Sequence, residues 1–94
     1  MTKGVTSELR REFARVLMDR WDPIGIRNEP AAAGEYDIYV DRLIATVFIN
    51  QDIEYISSIL AVIQEKEMGL VPNVKIDKDV SEILLKIYRH LPRE

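Results

Sequence analysis

The sequence predicts an all-α fold, a compact bundle or array of four helices over about residues 7–21, 35–49, 52–67 and 78–91. Two observations lead there. Apolar residues recur at helical spacing in four separate segments, and proline, glycine or Asx residues stand where those segments end. The 94 residues allow one domain, 1–94, with 1–6 expected to be flexible. A composition of 47% hydrophobic and 31% charged residues is that of a globular chain rather than a disordered one.

In the first segment Leu9, Phe13, Val16, Leu17 and Trp21 share one helical face. Thr6 or Ser7 can supply the capping oxygen, and Glu8 and Arg20 suit the two ends of the helix dipole. Residues 22–34 form a connection long enough to be either functional or packed by its own side chains, with Pro30 placed to start a short helical turn. The second segment presents Tyr36, Val40, Leu43, Ile44 and Val47. Its stretch Ile44–Ile49 has strand-like propensity, but the continuous face from Tyr36 favours helix.

Asn50 is the expected cap of the third segment, whose Ile53, Ile56, Ile59, Leu60, Val62 and Ile63 cover a wide arc. That breadth suits the central helix of the bundle, or else leaves a stripe for a partner. Gly69 is positioned to end it, with Leu70 supplying the capping contact. The fourth segment is expected to start at Asp77 or Asp79, to carry Val80, Ile83, Leu84, Ile87 and Leu91, and to stop at Pro92.

The corner Trp21-Asp22-Pro23-Ile24-Gly25 organises the rest. Asp22 precedes a proline and marks a helix boundary, and its carboxylate is of the kind that caps a following turn. Gly25 tolerates a tight reversal. Tyr36 is expected to pack on Trp21 while its hydroxyl finds a carboxylate or solvent. Trp21, Pro23, Gly25 and Tyr36 are therefore read as structural. This corner, followed by Glu35-Tyr36-Asp37 and Tyr39, resembles a small bacterial all-helical family of unknown function, over about residues 9–70. Gly34 stands where that pattern has an acidic residue. The resemblance implies a compact helical fold and a bacterial source, and brings no activity or catalytic residue with it.

Several classes of function are disfavoured. There is no cysteine, hence no disulfide, thiolate metal site or cysteine nucleophile. No nucleophile elbow, hydrolase triad, Gly-rich dinucleotide motif or P-loop can be assembled. His90, beside Arg89, suits a helix C-terminus better than acid–base work. A net charge of −3 argues against nucleic acid, although Lys3, Arg10, Arg11, Arg15 and Arg20 make a basic first segment. No signal peptide or membrane span is present, so a cytoplasmic location is expected.

The best reading is a non-enzymatic interaction module, binding another protein or itself as a homodimer, without cofactor or metal. Asp22, Glu35, Asp37, Tyr39 and Asp41 are the candidate partner-binding residues, since the acids of this half suit a basic partner. One alternative is an immunity- or antitoxin-like inhibitor of a basic toxin site. Another is a small metal-dependent enzyme built on Asp22, Glu35 and Asp37, because hard cations take oxygen ligands.

Overall fold

The structure is a computed structural model that describes residues 7–91. Thr6, the segment 1–6 and the stop at Pro92 lie outside the described residues. Four helices are present among them and no strand. Helix α1 runs Ser7–Val16 and continues through a π turn, Leu17–Trp21. Short 3₁₀ turns follow at Pro30–Ala32, with the proline at its start, and at Asp37–Tyr39. Helix α2 spans Val40–Ile49, α3 spans Ile53–Val62 with a π turn over Ile63–Glu67, and α4 spans Val74–His90. The strand-like stretch Ile44–Ile49 is helical, because Ile44 and Val47 join Val40 and Leu43 in the core.

Three boundaries differ from the sequence expectation. The second helix begins at Val40 rather than near residue 35. Tyr36 adopts φ −94° and ψ 2°, which aims its ring at Trp21 and leaves only a 3₁₀ turn between it and α2. Asn50 closes α2, its N–H donating to the Thr46 carbonyl at 3.1 Å, and Asp52 takes the N-cap position of α3 without a side-chain bond. The fourth helix starts earlier than Asp77 or Asp79. Asn73, just after Pro72, caps it by accepting from the Ile76 N–H at 3.1 Å.

The third helix ends as its sequence suggests. Gly69 takes φ +68°, and the Leu70 N–H reaches back six residues to the Gln64 carbonyl at 2.8 Å, one residue further than in a Schellman stop because the last turn is a π turn.

The hub of the fold is α4, not α3. Helix α4 packs on α1, on α2 and most extensively on α3, and it buries Val80, Leu84, Leu85 and Tyr88. Helix α3 buries Ile56 and Leu60 but leaves Val62 exposed. One core joins these residues to Leu9, Phe13, Leu17 and Trp21 of α1 and to Leu43 and Val47 of α2. The fourth helix thus packs on its own chain.

Candidate functional site

The Trp21–Gly25 corner is built around two carboxylates. Asp22 closes the π turn, its N–H donating to the Leu17 carbonyl at 2.9 Å. It is the only non-glycine residue with positive φ (34°) among the described residues, a conformation that Asp tolerates better than most types. Its carboxylate faces the loop that follows. It accepts from the Ile26 N–H at 2.8 Å, the Arg27 N–H at 3.2 Å and the Tyr36 hydroxyl at 2.8 Å. The same hydroxyl accepts from the Ile24 N–H at 3.1 Å. The Arg27 side chain donates to the Asp19 carbonyl at 2.8 Å and ties the loop back to the end of α1. From Asp22 to Tyr39 the connection is a succession of single turns, closed by bonds such as Gly25 N–H to Asp22 and Glu29 N–H to Ile26.

These contacts set the electrostatics. Burial by itself would raise the Asp22 carboxyl, but the bonds from Ile26, Tyr36 and Arg27, with the Arg27 charge, hold it below its usual range. The Tyr36 phenol is pushed well above its ordinary value, first by burial; the Ile24 N–H opposes this and the Asp22 charge adds to it. Asp22 therefore stays ionised and Tyr36 stays protonated at neutral pH. Neither is poised for proton transfer there.

Trp21 carries the second carboxylate. Its ring lies 5.6 Å from Tyr36 and 6.2 Å from Tyr39, tilted and edge-on respectively. Its indole N–H donates to Asp77 at 3.0 Å. Gln64 donates to both Asp77 oxygens at 2.6 and 2.7 Å, and to the Leu60 carbonyl at 3.1 Å. Asp77 is 1% exposed, and burial raises its carboxyl against the lowering effect of Gln64 and Trp21. Sequence reasoning missed both Asp77 and Gln64. A signal existed: Asp77 falls on the stripe Val80–Leu84–Ile87–Leu91, one turn before its first member.

The five candidate binding residues are split by the fold. Glu35, Asp37 and Asp41 are exposed. Tyr39 is not available to a partner, because its ring is buried against Trp21. Asp22 is likewise occupied within the corner. Asp41 forms an ion pair with Arg10 at 2.7 Å, and Arg42 pairs with Glu67. Among the described residues no three His, Asp or Glu side chains gather closely enough to hold a metal ion. Asp22, Glu35 and Asp37 thus form no ligand cluster.

Further surface features lie outside this corner, among them exposed Val71 just before α4 and exposed Val74 at its start. A groove of about 440 Å³ lies where α1 begins and α4 ends, lined by Ile83, Ile87 and Leu91 together with charged side chains of both signs, Glu8, Glu82 and Lys86 among them. Both limits of the described chain adjoin it. Helix α2, by contrast, presents exposed apolar side chains well inside the chain: Phe48 is 70% and Ile49 72% exposed, and Ile38 in the preceding turn is 77% exposed. No described helix is long and apolar enough to cross a membrane. Comparison with protein families, with curated proteins and with solved structures found no match to this chain.

Proposed function

We propose that this chain is a non-enzymatic helical interaction module of a bacterial cytoplasm, binding another protein or a second copy of itself. The observation that supports this reading is the outer side of α2. Ile38, Phe48 and Ile49 stay exposed while the chain completes a core without them, and exposed groups of large apolar residues mark interaction sites. Asp41 lies on α2, Asp37 in the 3₁₀ turn before it and Glu35 just ahead of that turn, all exposed, giving the surface an acidic and apolar character. Phe48 takes the aromatic place that the sequence offered to Tyr39. The competing metal-enzyme reading lacks a ligand cluster, and the carboxylate of Asp22 is engaged by the loop it caps.

Light scattering and thermal melting of the full chain, with EDTA or with added Mg²⁺ or Ca²⁺, test the choice. The expected result is a mass and a melting temperature that do not change with the ion. A clear rise in melting temperature with a divalent cation would favour the enzyme reading, since a ligand that binds only the folded state stabilises it.

A further inference from the structure

We propose that the outward stripe of α2 docks a basic amphipathic helix of a partner protein, a refinement that rests on the interaction-module reading. Ile38, in the 3₁₀ turn that leads into α2, and Asp41, Ala45 and Phe48 of α2 are spaced three, four and three residues apart, which sets them on one side of the turn and the helix it starts. All four are exposed. At 1.5 Å per residue the stripe is about 15 Å long, two to three turns of a facing helix. A partner helix with apolar residues at the same three-and-four spacing can lie along it.

Charge selects the partner. Glu35 and Asp37 stand at one end of the stripe and Asp52 beyond the other. None of the three has an ion-pair partner among the described residues. The two arginines beside the stripe are already engaged, Arg10 by Asp41 within it and Arg42 by Glu67. Both ends of the stripe are therefore acidic. A second copy fits badly, because two stripes laid antiparallel oppose Glu35 and Asp37 to Asp52, and two laid parallel oppose each acidic end to itself. Like charges so placed disfavour association. Lysine or arginine flanking an apolar stripe satisfies both ends at once.

The test uses the full chain and two helical peptides that share one leucine stripe, with lysines at the remaining positions of one and glutamates in the other. Calorimetric titration should show the lysine peptide binding at least about tenfold more tightly, with affinity falling as salt rises. Phe48→Ser should weaken it on the order of tenfold, as loss of a central aromatic anchor does. The exposed position leaves the melting temperature unchanged. The pair Glu35→Gln and Asp37→Asn should reduce the salt dependence. Equal binding of both peptides, or binding unaffected by Phe48→Ser, would overturn the proposal. A concentration-dependent dimer that Phe48→Ser dissolves would overturn it too, while leaving the interaction module standing. A monomer that binds neither peptide would count against both.

Discussion

Two buried or half-buried carboxylates in one corner respond to acid in opposite senses. The folded-state pKa of Asp22 lies below its ordinary value, so its contribution to stability is present above about pH 4 and is lost as pH falls through the folded pKa. Asp77 is raised instead, so the folded state takes up its proton first, and acidification toward about pH 4 relieves the burial of its charge. Asp77→Asn removes that response. Urea denaturation at pH 7 and at pH 4.5 should show the native chain gaining on the variant at the lower pH. The capping role of Asp22 was legible, because an Asx residue before proline bonds to backbone a few positions away. The bond from Trp21 to Asp77 spans 56 residues, and no local rule points to it.

At the scale of the element, both π turns finish a helix at the same buried point. Leu17–Trp21 supplies the indole and Ile63–Glu67 supplies Gln64, and both donate to Asp77 in the first turn of α4. A π turn widens the local helix and shifts the direction of the side chains after it. In the sequence both stretches read as ordinary continuations of their helices, the first because the apolar face runs on to Trp21, the second because no breaker stands before Gly69. The start of α4 misled for a related reason. An acidic residue near a helix start reads as a cap, yet Asp77 is turned inward and Asn73 holds the cap. Replacing Asn73 with alanine should destabilise the chain by about 1 kcal/mol, the usual cost of a lost N-cap, as a lower urea midpoint with an unchanged slope. Asp79→Ala, at an exposed position, should have a smaller effect.

At the scale of the molecule, α4 joins the other three helices, so its apolar face governs the stability of the whole. Leu84 is fully buried there. Leu84→Ala should cost about 2–5 kcal/mol through lost contacts and the cavity left behind. Against roughly 5–14 kcal/mol for a domain of this length, that is a large share, and it should appear as a much lower melting temperature. Ala45→Ser, on the open stripe of α2, should change stability little. The sequence could not rank the helices in this way. Helix α3 has more apolar positions than one face needs, but Val62 spends one of them on solvent, whereas α4 uses Asp77 and Ser81 inside the core through hydrogen bonds.

What the sequence determined by itself was local. Helical periodicity set the all-α class and the four segments, Pro23, Gly25 and Gly69 set where the chain turns, and Asp22 set the cap of its own loop. Each of these follows from neighbours within a few residues, where backbone sterics and short hydrogen bonds decide the conformation. The tertiary structure alone decided that α4 is the hub, that Tyr39 is inside and Phe48 outside, and that Asp77 is buried between Trp21 and Gln64. Those outcomes depend on which faces meet across long sequence separations. Periodicity gives each helix an apolar face, but only packing shows which part of it another helix covers.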